Sequence, residues 1–199
     1  DGVFHAHKDN GLINDVFNPE TLSALGEGNI AIGHVRYGTT GTKSISNAQP
    51  LVVNHIKGNM ALAHNGSLTN SSALREQLEM NGSIFHTTSD TEVISYIITK
   101  ERLTAPSIED AVCSAMDKIE GAYSLAIMSP SKLIVARDKN GFRPLCYGLC
   151  EDGSYIAAQY TSAVHFRDSL GNWQDIDNTL ASSTDGGVTV YDNVSNGID

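Results

Sequence analysis

The spacing of hydrophobic residues changes twice along this chain, and this change constrains the fold more than any other feature. Between about residues 69 and 119 they recur at helical spacing, whereas on both sides they form short runs or alternate. Short apolar runs between turn residues are typical of antiparallel strands. The sequence therefore predicts an α+β fold, in which helices from the middle of the chain cover sheets formed by its two ends.

Three helices are predicted in the middle stretch. The first spans 69–80 and is stopped by an Asn-Gly pair. The second begins at Ser89, with Glu92 placed as its capping box. The third starts at Ser107, directly after a proline, and is ended by Gly121. The apolar stripe of each helix predicts one buried face.

Strands are predicted before and after these helices. The opening segment reads as a strand, a turn at 9–11 and a short second element, and 18–29 reads as a short helix and loop. Strands with defined limits are predicted at 30–36, 51–56, 60–64, 122–128, 133–138, 145–149 and 155–159, the last four as one antiparallel meander. Beyond that point only 187–191 is typical of a strand. We therefore expect one main domain over 1–165 and a poorly matched tail over 166–199.

Charge and cysteine content narrow the classes of function. A net charge of -10 over 199 residues, without a run of Lys or Arg, disfavours a nucleic acid or a membrane surface as partner. No apolar stretch approaches the roughly 18 residues that cross a bilayer. The three cysteines lack the paired spacing of a zinc site, and His5 and His7 lack a third ligand, so no metal is expected. Reduced thiols fit a cytoplasmic protein.

Arg36 is the first candidate binding residue. It lies in the stretch GHVRYGTT, which follows the apolar run 30–32 and leads into a loop of small polar residues. A guanidinium group can hold a carboxylate through two parallel hydrogen bonds. The alternative is an ordinary surface arginine with a solvated head.

Asp90 and the pair Asn65-Gly66 occupy similar boundaries between apolar runs and loops. Asp90 would complement Arg36 if the ligand were a free amino acid, but it could equally serve only the dipole of its helix. The Asn65 amide and the Gly66 N–H could stabilise an oxyanion during acyl transfer, although Asn-Gly is also a plain turn signal. The residues alone leave these alternatives open.

Six short segments follow one another in a specific order: GHVRYGTTG, AQP, LAHNGSLTN, TTSDTE, GAYSLAIM and ARDKNGFRPL. Together they resemble the glutaminase domain of the glutamine phosphoribosylpyrophosphate amidotransferases. The likeness runs from about His7 to Ala158. The first and last segments favour this family over the glucosamine-phosphate synthases and asparagine synthetases, which share the domain.

The resemblance implies an N-terminal-nucleophile hydrolase fold, a four-layer αββα sandwich. It also implies a glutamine pocket in which Arg36 binds the α-carboxylate and Asp90 takes the α-ammonium group. Tyr37 and Thr39 would line the same pocket.

The resemblance further assigns Asn65 and Gly66 to an oxyanion hole, but the chain departs from the family at the nucleophile. That nucleophile is an N-terminal cysteine. The opening DGVF could align with the family's Cys-Gly-Val-Phe, whereas the stretch from His7 favours a match some tens of residues further on. In the favoured alignment the first strands and the nucleophile are missing, so we expect the chain alone to be inactive.

On this interpretation the chain is the glutaminase part of an amidophosphoribosyltransferase, which supplies ammonia for phosphoribosylamine formation in purine synthesis. No cofactor is expected in the chain itself. The whole enzyme would use Mg²⁺ with phosphoribosylpyrophosphate, and an iron–sulfur cluster is left open. The expected partners are glutamine, the phosphoribosyltransferase half and further copies in a homo-oligomer. The alternative is a non-catalytic relative that binds an amino acid.

Overall fold

The computed structural model describes residues 2–36, 45–149, 154–158, 165–167, 173–175 and 188–192. Within these ranges the α+β class is confirmed, because helices lie against an antiparallel sheet. The helices are α1 (Ile13–Val16), α2 (Pro19–Leu25), α3 (Ser71–Met80), α4 (Asp90–Glu101) and α5 (Ile108–Met116), with a 3₁₀ turn at Ile45–Asn47. The strands are β1 (Leu51–Val53), β2 (Met60–Leu68), β3 (Gly121–Met128), β4 (Lys132–Arg137), β5 (Cys146–Leu149), β6 (Tyr155–Ala158), β7 (His165–Arg167), β8 (Trp173–Asp175) and β9 (Val188–Asp192).

The main sheet has five strands in the order β1-β2-β3-β4-β9, and every neighbouring pair is antiparallel. Two separate two-stranded sheets pair β5 with β6 and β7 with β8. The predicted pairing of β3 with β4 and of β5 with β6 is therefore correct. The predicted pairing of β4 with β5, which would join them into one meander, is wrong. The edge of β4 is instead occupied by β9, the strand predicted in the tail, because pairing depends on long-range register rather than on sequence order.

Helices α3, α4 and α5 form one layer against the main sheet. Helix α4 packs against β1, β2 and both other helices of the layer, and α5 reaches β9. Across the sheet Leu62 lies opposite Ile127, which lies opposite Ile134, and all three are fully buried. Burying each such side chain contributes about 1.5–3 kcal/mol. None of the helices in the described ranges combines the length and apolar character needed to cross a membrane.

The predicted starts of the second and third helices are correct, whereas α3 begins at Ser71, two residues later than predicted. Ser89 and Ser107 are the N-caps of α4 and α5, and their side chains accept N–H groups from the first turns. The capping box is wrong, because the Ser89 N–H donates to Thr87 Oγ1 and Glu92 binds the loop before the helix instead. Helix α5 also ends earlier than predicted, and Gly121 opens β3.

Residues 30–36 do not form the predicted strand. A strand needs a partner for its backbone groups, and within the described ranges no strand pairs with this stretch. The opening segment likewise contains α1 but, over its described residues, no strand. Strand β1 is shorter than predicted and stops at Val53, whereas β2 continues to Leu68 through Asn65 and Gly66. That pair is therefore not a turn.

Asp138 organises the turn that follows β4. The residue is 1% exposed, and its carboxylate accepts backbone N–H groups of Tyr123 at 3.3 Å, Asn140 at 3.1 Å, Phe142 at 3.0 Å and Arg143 at 3.1 Å. Burial would raise the pKa of Asp138, but these N–H groups stabilise the anion and together hold the pKa below its ordinary value. One carboxylate thus ties the turn to β3.

Replacing Asp138 with asparagine should destabilise the fold by about 3 kcal/mol at neutral pH, because the amide cannot accept all four N–H groups. The folded-state pKa lies below the unfolded one, so the carboxylate stabilises the native state above its ordinary pKa. That stabilisation is lost as the pH falls through the lowered value. Urea unfolding from pH 7 down to about pH 3 should therefore show the gap between Asp138→Asn and the parent closing. The exposed Asp117→Asn is the control, and a gap independent of pH would contradict the account.

Candidate functional site

The predicted site residues gather where β2 extends beyond β1. Strand β1 pairs with Met60, Ala61 and Leu62 only. From there to the end of β2, no strand pairs with this edge in the part of the chain that the structure describes. The edge therefore presents backbone groups that other residues or a ligand can use.

Two N–H groups on this edge are bound by side chains. The His64 N–H donates to Gln49 Oε1 at 2.6 Å, and the Leu68 N–H donates to Asp90 Oδ2 at 3.0 Å. In an antiparallel ladder, residues two apart direct their N–H groups to the same side. Gly66, midway between His64 and Leu68, therefore directs its N–H to the same open edge.

Gly66 keeps this N–H free of β3. Gly66 lies opposite Tyr123 on β3. The Tyr123 N–H donates to the Asp138 carboxylate, and the Tyr123 carbonyl accepts the Asp138 N–H. Both backbone groups of Tyr123 therefore point away from β2 and do not bind Gly66. Gly66 has φ of 146°, and a Cβ there would lie 2.0 Å from the carbonyl oxygen of Ala122. Across the described ranges, no side chain binds the Gly66 N–H as Gln49 and Asp90 bind its neighbours. The close approach thus requires glycine and leaves a donor at the edge.

Asn65 precedes Gly66 on β2, and its side chain lies on the face of the sheet opposite the helices. Alternation along β2 turns His64 towards the helices and Asn65 away from them, and Asn65 is exposed. Ser124 lies directly opposite Asn65, and its hydroxyl donates to the Pro144 carbonyl at 3.0 Å, so the segment after β4 passes over this face. An amide and a backbone N–H, one residue apart, are therefore both accessible at this end of β2.

Asp90 is held as an anion at the same edge. It is the first residue of α4, and besides Leu68 its carboxylate contacts His64, with Oδ1 at 3.4 Å from Nδ1. Burial would raise the pKa of Asp90, but the hydrogen bond and charge of His64, with the backbone N–H groups of Leu68 and Thr91, lower it below its ordinary value. The side chain remains 21% exposed, so a cation can still reach it.

His34, two residues before Arg36, is influenced by both His64 and Arg36. Burial lowers the pKa of His34, and the charges of His64 and Arg36 lower it further, while a hydrogen bond with the His64 backbone opposes them. Arg36 is exposed. His64 thus contacts Asp90 directly, whereas Arg36 is related to this place through its charge at His34. Tyr37 and Thr39 lie outside the described residues.

Sequence reasoning did not assign Gln49, Asn47 or Arg75 to the site, and it gave Glu92 a different role, in the capping box of α4. Gln49 lies in the AQP segment and Glu92 in TTSDTE, two of the six segments that carry the family resemblance, so this resemblance was a signal for both. Asn47 and Arg75, which also bind the loop before Asp90, carried no such signal. Among the described residues, no group of three His, Cys, Asp or Glu side chains is arranged to hold a metal ion.

Comparison with known proteins identifies the family of this chain. A family described as a glutamine amidotransferase domain matches residues 34–165, more than half of the chain. This chain belongs to that family. The matched range begins just before Arg36 and includes Asn65, Gly66 and Asp90, so every predicted site residue lies within the amidotransferase domain.

Individual relatives carry one recurring name. The amidophosphoribosyltransferase of Methanocaldococcus jannaschii is 48% identical over 155 residues, covering 78% of this chain and 33% of the relative. That of Bacillus subtilis is 44% identical over 159 residues, covering 79% and 33%. The solved B. subtilis glutamine phosphoribosylpyrophosphate amidotransferase, complexed with ADP and GMP, has a TM-score of 0.68 at 42% identity, covering 77% of this chain and 32% of that one. The chain thus spans about a third of the length of these relatives.

Proposed function

We propose that this amidotransferase domain binds glutamine and releases its amide nitrogen as ammonia within an amidophosphoribosyltransferase. The observation that carries the proposal is the place of Asp90, whose carboxylate is fixed at the open edge of β2 beside Gly66. An anion next to free backbone donors suits a ligand with an ammonium group at one end and a carbonyl at the other. The names of the relatives support the same substrate and reaction.

Binding would use opposite charges at the two ends of the glutamine backbone. Asp90 takes the α-ammonium group, and its lowered pKa keeps it charged at neutral pH. Arg36 takes the α-carboxylate, with Tyr37 and Thr39 as further lining residues. A free amino acid is thereby selected over a peptide, which lacks the ammonium group, the carboxylate or both.

Catalysis would use the donors at the end of β2. When a thiol attacks the side-chain amide, the carbonyl oxygen becomes negative. The Gly66 N–H and the Asn65 amide then stabilise this oxyanion, and one such donor is typically worth about 10²–10³ in rate. The donors need no movement at that moment, because β2 is fixed by its pairing with β3.

Neither of the two cysteines in the described ranges is suited to be the attacking thiol, and Cys150 lies outside those ranges. Cys113 lies on α5, where burial and the nearby Asp110 and Asp117 raise its pKa, the opposite of what a nucleophile needs. The Cys146 thiol, on β5, contacts the Ala158 carbonyl. We therefore propose that these 199 residues bind glutamine without hydrolysing it, and that turnover requires an N-terminal cysteine of the family type.

The remaining assignments concern the whole protein. The ammonia would pass to a phosphoribosyltransferase half that uses Mg²⁺ and phosphoribosylpyrophosphate, in a homo-oligomer. The cytoplasm is the proposed location, although plant relatives are named chloroplastic.

A non-catalytic amino-acid-binding relative is the second candidate, favoured by a binding geometry without a suitable described thiol. A chimera separates the two. The matching stretch of the M. jannaschii relative is replaced by this chain, and glutamate release is followed by mass spectrometry. Turnover supports the enzyme, whereas glutamine binding without turnover supports the relative.

Calorimetric titration with glutamine tests the proposed pocket. Arg36→Ala should weaken glutamine binding about 100-fold, because the α-carboxylate loses a paired charge. The control is Lys139→Ala, which removes an exposed cation paired with Asp117 away from the site. A folded parent chain that binds no glutamine would reject the proposal, and equal binding by Arg36→Ala would reject this role for Arg36.

A further inference from the structure

The loop that carries Asp90 is held partly by the helices on either side of it. The Glu92 carboxylate, from α4, accepts the His86 N–H and both the N–H and the hydroxyl of Thr87. Arg75, from α3, donates to the Thr87 and Ser89 carbonyls at 3.1 Å and 3.2 Å. These contacts shape the loop but do not relate it to β2.

Asn47 supplies a contact from elsewhere in the chain. Its Nδ2 donates to Thr88 Oγ1 at 3.0 Å, and its Oδ1 accepts the Thr88 N–H at 3.1 Å. Asn47 is 4% exposed. Its amide therefore holds one residue of the loop by two hydrogen bonds, two positions before Asp90.

The segment that contains Asn47 also contacts the donor edge. Gln49, two residues later, binds the His64 N–H at 2.6 Å, next to Asn65 and Gly66. The Ala48 carbonyl accepts a hydrogen bond from the Lys8 ammonium group at 3.1 Å. Residues 47–49 therefore connect the loop of Asp90 directly to the strand that carries the proposed oxyanion donors.

We propose that Asn47 is a positioning residue, which fixes the separation between the Asp90 carboxylate and the Gly66 N–H and thereby selects amino acids by side-chain length. The proposal rests on the function proposed above. Glutamine reaches from its α-ammonium group to its amide carbonyl across one more methylene than asparagine. If the separation between Asp90 and Gly66 is rigid, it fits the side-chain length of glutamine and not that of asparagine. A loop that Asn47 no longer holds could adjust to both lengths.

Two disrupting variants, their double variant, one control variant and three ligands test this. Asn47→Ala removes both hydrogen bonds, and Thr88→Val removes the hydroxyl with little change of shape. The ligands are glutamine, asparagine and 4-carbamoylbutanoate, which is glutamine without its α-ammonium group. Affinities are measured by calorimetry on the 199-residue chain, and circular dichroism verifies that each variant is folded.

Asn47→Ala and Thr88→Val should each bind glutamine about tenfold more weakly, because a displaced Asp90 carboxylate no longer contacts the ammonium group of the ligand. The preference for glutamine over asparagine should fall by a similar factor, and binding of 4-carbamoylbutanoate should not change. Thr88→Ser keeps the hydroxyl and should bind as the parent does. The double variant should be no worse than Asn47→Ala, since Asn47→Ala already removes the hydrogen bond that Thr88→Val breaks.

Equal weakening for all three ligands would overturn the positioning role, because it would indicate a general loss of structure. Unchanged glutamine binding and unchanged selectivity in folded variants would overturn it as well, while leaving the proposed function intact. A folded parent that binds no glutamine would instead reject the proposed function itself, and the positioning role with it.

Discussion

Gly66→Ala is expected to destabilise the fold by about 4 kcal/mol, more than any other single change considered. A Cβ at this position would lie 2.0 Å from the Ala122 carbonyl oxygen and 2.7 Å from the Tyr123 Cα. Both are backbone atoms of β3, so neither can rotate away. The backbone φ of 146° adds strain for any residue with a side chain. Relief would require separating β2 from β3 in the centre of the main sheet.

Gly82→Ala is the matched control for this prediction. Gly82 also has a positive φ, 88°, but a Cβ there meets no atom within 4 Å. It should therefore cost only the backbone strain, about 1 kcal/mol. Urea unfolding followed by far-UV circular dichroism measures both. Similar losses for the two variants would mean that β2 and β3 are further apart at this point than the structure has them.

Asp90→Asn is expected to weaken glutamine binding about 100-fold or more, because it removes the charge that pairs with the α-ammonium group. The new amide keeps one oxygen, which can still accept the Leu68 N–H. Stability should consequently fall by no more than about 1 kcal/mol, the usual worth of an acidic residue in a first helical turn. Binding and stability are thus predicted to respond very differently.

Asp110→Asn provides the comparison for Asp90→Asn. Asp110 lies in the first turn of α5 and accepts a hydrogen bond from the N-cap Ser107, so it shares the helix-terminal setting without the site. Calorimetric titration with glutamine and urea unfolding are carried out on both variants. Equal glutamine affinity in the two would show that Asp90 serves only the helix dipole, the alternative left open by the sequence.

Local patterns predicted the helical layer well. The apolar stripe of α4 is buried as expected, and Ser89 and Ser107 are its N-cap and that of α5. Such patterns succeed because caps and stripes depend on residues three or four positions apart. The resemblance of six ordered segments likewise led to the family that the comparison established.

Strand limits were predicted less well, for a physical reason. The failed strand at 30–36 and the short β1 both depend on which backbone lies alongside, and sequence spacing does not contain that information. Asn65-Gly66 is a sound turn signal, yet the pair stays within β2 because pairing with β3 continues to Leu68. Glu92 was predicted to bind the Ser89 N–H as a capping box. The loop before α4 instead folds back, so that the Glu92 carboxylate accepts the His86 and Thr87 N–H groups.

The sequence by itself determined the α+β class, the helical layer and the identity of the residues on which the proposed site depends, because each has a local pattern or motif. Only the tertiary structure decided how these residues meet. The early end of β1 leaves an edge of β2 open, and Asp90 reaches that edge at the Leu68 N–H. The bonds from Asn47 to Thr88 span 41 residues along the chain. Contacts of this kind arise from the packing of distant segments, which no short stretch of sequence encodes.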